Sequence, residues 1–179
     1  MKIFNTQIRT LLATSFGVIS MATSAFAGMP DDIRVGARVE LEGRSLNDVT
    51  VMAMEIEVSA ATVGDDNIKG VIQAVDQPNR SITISGIEIV ANSDASVEDE
   101  LNEPMDFSDF TAGSRGKAEG KFAGGVFLAH RMKLKKMKEG VETEIDLGGV
   151  VTKVDRAGDS FTLLGIEVLT TPRTVVEVE

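Results

Sequence analysis

His130 is the only histidine in the chain, so any acid–base or metal chemistry that needs an imidazole must run through it. In the segment FLAHRMKL, the two-residue period of a strand places His130 with Val126, Leu128, Met132 and Leu134 on one face. Arg131, Lys133 and Lys135 then point the other way. One reading is a histidine at a barrel interior or mouth, held by one hydrogen bond. The other is a soft-metal site made by His130 with Met54, Met52 and Met132, because thioether plus imidazole suits Cu(I). Methionine also fills irregular gaps in cores. No Met-x-x-Met or His-x-His spacing occurs, so copper handling is the second reading.

The carboxylates offer less. The run Glu98, Asp99, Glu100, Glu103, Asp106 and Asp109 supplies oxygen ligands for Ca²⁺, but without the Asp-x-Asp-x-Asp-Gly order of a dedicated loop. A solvated acidic loop is the simpler reading. Asp76 and Asp155, and Glu88 and Glu167, recur at matching places in a repeat, which fits turn formers and outward strand positions better than one acid–base pair. With no cysteine, no serine in a nucleophile elbow and one histidine, no catalytic residue, cofactor or enzyme activity is expected. Gly124-Gly125 marks a hairpin tip, since no Lys-Ser/Thr follows it as in a phosphate loop.

Arg131, Lys133, Lys135, Lys136 and Lys138 form the one basic run of a chain whose net charge is −10. Lysines of this kind guard an edge strand against aggregation. The functional reading is a docking strip for an acidic partner or an anionic membrane surface.

The elements that must position these residues are written twice. Ile68 to Val90 returns at Leu147 to Leu169 with a constant offset of 79, keeping Gly70/Gly149, Asp76/Asp155 and the Gly-Ile-Glu triplets at 86–88 and 165–167. Each copy reads as strand, turn, strand, bend and strand, with the bend or a bulge at Gly86 and Gly165. A hairpin also recurs. Val35 to Gly43 matches Ala112 to Gly120, and Val51 to Val58 matches Phe127 to Leu134, which makes Met54 the counterpart of His130. Ser96 with Glu98-Asp99-Glu100 resembles a helix start, and Pro104 keeps that helix short.

Lys2 and Arg9, an apolar stretch from Leu11 to Ala22, and Ala25-Phe26-Ala27 make residues 1–27 a cleavable signal peptide, too short in its apolar run for a membrane span. A bacterial periplasmic or secreted product follows. Cleavage removes two positive charges and no negative ones, leaving about −12. Such a field repels phosphate backbones. Only Phe107, Phe110, Phe122, Phe127 and Phe161 remain as aromatics, so stacking platforms for nucleic acid or sugar are scarce.

The residues Gly70-Val71, Val75-Asp76, Thr83 and Gly86-Ile87, then Ala112-Gly113, Gly120 and Ala129-His130-Arg131-Met132, resemble the pattern of the bacterial exported family called domain of unknown function 5666. That resemblance spans nearly all of residues 33–172 and implies OB-like β-barrel units, without assigning a reaction. The expectation is an all-β protein of two small OB-like barrels built from a duplicated hairpin and meander, with one short helix in the 96–110 loop. Residues 68–138 make one complete unit in the OB order. Residues 33–58 plus 147–179 make a second of permuted order, without the helix; the alternative is two consecutive units, 33–95 and 110–179. The function expected is a non-catalytic binding or assembly module of the cell envelope. Its partner would be an envelope protein or a small ligand, with no nucleic acid and no stable membrane anchor after cleavage.

Overall fold

The computed structural model describes residues 29–61, 63–136, 140 and 143–179, so the signal-peptide expectation lies outside the described residues. With strands numbered in chain order, the first meander folds into β3 (Asp66–Asp76), β4 (Ser81–Ile84) and β5 (Ile87–Glu98). The hairpin β6 (Arg115–Ala123) and β7 (Val126–Lys135) follows it. Pairing runs β3–β4–β5–β7–β6 and back to β3, with only β5–β7 parallel, so the five strands close into a barrel. Ile68, Ile72, Ile82, Ile84, Ile89, Phe127 and Met132 fill it. Each such side chain contributes about 1.5–3 kcal/mol by leaving water.

The N-terminal hairpin, β1 (Arg38–Asn47) and β2 (Thr50–Ser59), pairs with the second meander rather than with the first. That meander is β8 (Glu144–Asp155), β9 (Ser160–Leu163), β10 (Ile166–Leu169) and β11 (Val175–Val178). Here β1 pairs with β8, β8 with β9, β9 with β10, and β10 and β11 lie parallel to β2, which returns to β1. A second ring of strands closes around Leu41, Ile56, Leu147, Phe161, Leu163 and Val168.

Matched irregularities shape both rings. The turns at Ser85-Gly86 and Leu164-Gly165 have positive φ at both residues (47° and 70°, 51° and 78°), as a two-residue hairpin turn of type I′ requires. The bulges of the meanders fall elsewhere, at Gln73 and Thr152. In the hairpins, Met54 and His130 are the extra residues, facing Gly43 and Gly120. A Cβ on Gly120 would stand 2.1 Å from the Leu128 carbonyl oxygen, and one on Gly43 2.7 Å from that of Met52. Glycine is therefore what lets the strands approach here.

One expectation about helix needs correction. Ser96 starts no helix: Ser96–Glu98 continue β5 and pair with Arg131–Lys133. The helix of the 96–110 loop is a single 3-10 turn, Phe107–Asp109, placed beyond Pro104. Among the described residues the second barrel has no such helix, as expected, but it has a turn of the same shape. Phe110 N–H donates to Phe107 O and Gly113 N–H to Ile72 O; likewise Ile33 N–H donates to Pro30 O and Gly36 N–H to Val151 O. Gly113 and Gly36 share φ of 87° and 88°. Residues 30–37 thus repeat 107–114, and Ile33 and Phe110 are both buried. Gln77 Nε2 donates to Phe110 O, while its repeat equivalent Arg156 donates to Met29, Pro30, Asp31 and Ile33 carbonyls.

The barrels share a seam. Asn67, Ile68 and Lys69 of β3 stand antiparallel to Gly148, Leu147 and Asp146 of β8, so β6, β3, β8 and β1 form one continuous four-stranded surface. Buried arginines bridge it from both sides, Arg38 to Asp66 (3.5 Å) and Arg115 to Glu144 (3.3 Å).

Candidate functional site

The outward face of the seam sheet is a row of charges. Glu55, Glu42, Asp146, Lys69 and Lys117 lie side by side on β2, β1, β8, β3 and β6. A second row holds Glu57, Glu40, Gly148, Asn67 and Glu119. Alternation explains it: Leu41 and Ile68 point into the barrels, so their strand neighbours point out. Together with Arg115, Lys135, Lys136 and Glu144, the side chains of both rows line a groove of about 670 Å³ that crosses both barrels.

Charge divides along the seam. On the first barrel the charges are matched: Lys69 bonds Asp146, Lys117 lies 2.7 Å from Glu119, and Arg115 reaches Glu144 and Asp146. The Lys117 hydrogen bond holds the Glu119 carboxyl below its usual range, despite some burial. On the second barrel, Glu42 faces Glu55 and Asp146, and Glu40 faces Glu57. Like charges directly opposite in a sheet are destabilising. Glu57 is pushed up from its ordinary value by a hydrogen bond shared with Glu179, by the Glu179 charge, by slight burial, and by Glu40 and Glu177.

The basic run behaves differently from a free strip. Its strand, β7, is paired on both sides, so it guards no edge. Arg131 lies 3.2 Å from Glu98 and 3.7 Å from Glu119, and Lys133 lies 3.5 Å from Glu98. Glu98 is correspondingly held low: its burial, which alone would raise it, is outweighed by hydrogen bonds from Ser96 and Arg131 and by the two cations. Lys135 and Lys136 line the groove, and Lys138 lies outside the described residues. The acidic loop is likewise engaged with itself, Asp99 Oδ1 accepting from Leu101 and Glu103 N–H.

His130 sits at the bulge, which flips the strand's alternation, so Phe127 and Ala129 point inward before it and Met132 after it. The side chain is half-exposed, with Nε2 3.6 Å from Asp65 Oδ2. Met132 is fully buried in the first barrel, whereas Met52 is half-buried and Met54 exposed on β2 of the second. The proposed His–Met set is therefore not brought together. Among the described residues no group of three or more His, Asp or Glu is arranged to hold a metal ion. The repeated carboxylates serve geometry: Ser81 donates to Glu88 and Ser160 to Glu167 (3.3 Å each), while Asp76 and Asp155 accept from their own turns.

Sequence reasoning passed over Glu40, Glu42, Glu55 and Glu57. Their signal was a Glu-x-Glu on each strand of one hairpin, at 40–42 and 55–57, which pairing must set face to face. A family model described as domain of unknown function (DUF5666) matches residues 69–133, the first barrel nearly entire, and 148–179, the second meander. No curated protein and no solved structure matches the chain. With more than half of its residues matched, the chain belongs to the family of domains of unknown function designated DUF5666.

Proposed function

We propose that this protein is an exported, non-catalytic binding or assembly module of the bacterial cell envelope, and that its seam groove holds a protein partner through a cationic segment. Export rests on the leader-like residues 1–27. One observation carries the binding reading: Glu40, Glu42, Glu55 and Glu57 oppose one another on paired strands of the second barrel, whereas Lys69 and Lys117 of the first barrel have intramolecular carboxylates. A sheet face that bears this repulsion gains most when a cationic chain neutralises it.

The test is capture from envelope extract on immobilised protein, comparing wild type with Glu40→Gln/Glu42→Gln/Glu55→Gln. The expected result is one partner held by wild type, released by moderate salt and lost by the triple variant. Identical captured sets on both proteins would contradict the reading.

A further inference from the structure

The two halves of the molecule are equivalent, β10 and β11 together matching β5, yet the contacts between hairpin tip and neighbouring barrel differ. On one side, Gln73 of the first barrel donates from Nε2 to Asp48 Oδ1 (2.6 Å) and accepts from Gly86 N–H (2.9 Å), closing the junction with the β1–β2 tip. On the other side the equivalent of Gln73 is Thr152, whose shorter side chain turns back to the Thr162 carbonyl of its own barrel. Phe122 meets Gly165 there, and a cleft of about 310 Å³ stays open. Its apolar lining is Val63, Phe122, Val150 and Leu164, and Arg38, Asp66 and Lys121 supply its charges.

The equivalent arginines differ in the same sense. Arg115 engages Glu144 through both carboxylate and carbonyl oxygens and also Asp146. Arg38, whose side chain is 8% exposed, has Asp66 Oδ1 at a long 3.5 Å, while Asp66 Oδ2 accepts from Phe122 N–H. A guanidinium offers five N–H donors, and this contact uses few of them. On a chain of net charge −10, the lining of this cleft carries two cations and one carboxylate. Arg38 is held only by the long Asp66 contact, while Lys121 has Asp65 at 3.9 Å and donates to the Gly64 carbonyl.

From this we infer that the cleft between the Phe122 hairpin and the Leu164-Gly165 turn is a binding site for a small monocarboxylate with an apolar body. The carboxylate sits on Arg38 and Lys121, and the aliphatic part lies against Phe122, Val150 and Leu164. A concave, mostly apolar site with a few convergent polar groups is the usual form of a small-molecule site. It is separate from the charged groove, so each stands or falls without the other.

The experiment is amide NMR titration with octanoate, with octan-1-ol as the uncharged control. Saturable shifts at Phe122, Thr152 and Leu164 with octanoate, and none with octan-1-ol, are expected. Val150→Trp fills the cleft from a position that is 37% exposed. It should weaken octanoate at least about tenfold while circular dichroism is unchanged. Arg38→Gln should do the same where it folds. Equal shifts with octan-1-ol, shifts confined to other surfaces, full affinity in Val150→Trp, or no saturation would each overturn the assignment.

Discussion

Ile68 and Leu147 hold the same position in the two copies of the repeat, and they stand directly opposite each other across the seam. Both are buried. An antiparallel pair that matches a residue with its own equivalent has a local two-fold axis between them, so the barrels meet as subunits of a symmetric dimer do. The buried arginines Arg38 and Arg115 and the turns at Gly86 and Gly165, each met by a hairpin tip (Asp48 and Phe122), are placed by that axis. The arginines' partners Asp66 and Glu144 fall one position apart in the repeat. The charged groove exists because the axis makes one sheet from two barrels.

The bulge glycines are the first place to test this. Gly120→Ala puts a Cβ against the Leu128 carbonyl and should cost about 3 kcal/mol or more, with Gly43→Ala somewhat less. Gly113→Ala meets open space and pays only for its positive φ, about 1 kcal/mol. Urea unfolding of the three variants checks the order, and equal losses would count against it.

Arg156 fastens the N-terminal turn to the second barrel through four carbonyls, where Gln77 makes one contact in the first. Arg156→Ala is expected to lower stability by about 1–2 kcal/mol and Gln77→Ala by under about 1 kcal/mol. Hydrogen exchange at Ile33 and Ala37 should accelerate in Arg156→Ala alone; unchanged protection there would contradict the role.

Acid titration separates the two ends of the groove. Glu57 has a raised folded value, so the folded state binds that proton more tightly than the unfolded one. Its contribution therefore rises as pH falls from neutral and levels off below the ordinary 4.5. Glu98 and Glu119 have lowered values, so their contributions are present above 4.5 and are lost as pH falls through the folded values. Comparing wild type with Glu57→Gln between about pH 7.5 and 5 should show wild type gaining a few tenths of a kcal/mol that the variant does not. A larger gain in the variant would reverse the assignment.

Much of the fold was legible in the sequence because its determinants repeat by identity: the Gly-Ile-Glu triplets and Asp76/Asp155 mark both meanders. Residues 30–34 escaped because Pro30 and Ile33 share only a shape with Phe107 and Phe110, and Asp32/Asp109 alone repeats by type ahead of the recognised match at Val35/Ala112. The face of His130 was misread because a one-residue bulge reverses every side chain beyond it, and strand periodicity carries no trace of a bulge. The basic run looked free because its partner Glu98 belongs to a strand that sequence reads as a helix start. The cleft at Arg38 depends on Thr152 being shorter than Gln73, a difference that gains meaning only once the hairpins are docked.

The pairing of the N-terminal hairpin is the claim on which barrels, seam and groove all rest. In this cysteine-free chain, Glu42→Cys/Asp146→Cys joins residues that face each other on β1 and β8, whereas Asn67 holds the place of Asp146 in the other copy. Oxidation followed by peptide mapping should give an intramolecular disulfide in Glu42→Cys/Asp146→Cys and none in Glu42→Cys/Asn67→Cys. A disulfide in the second pair and not the first would mean that the hairpin closes the first meander instead.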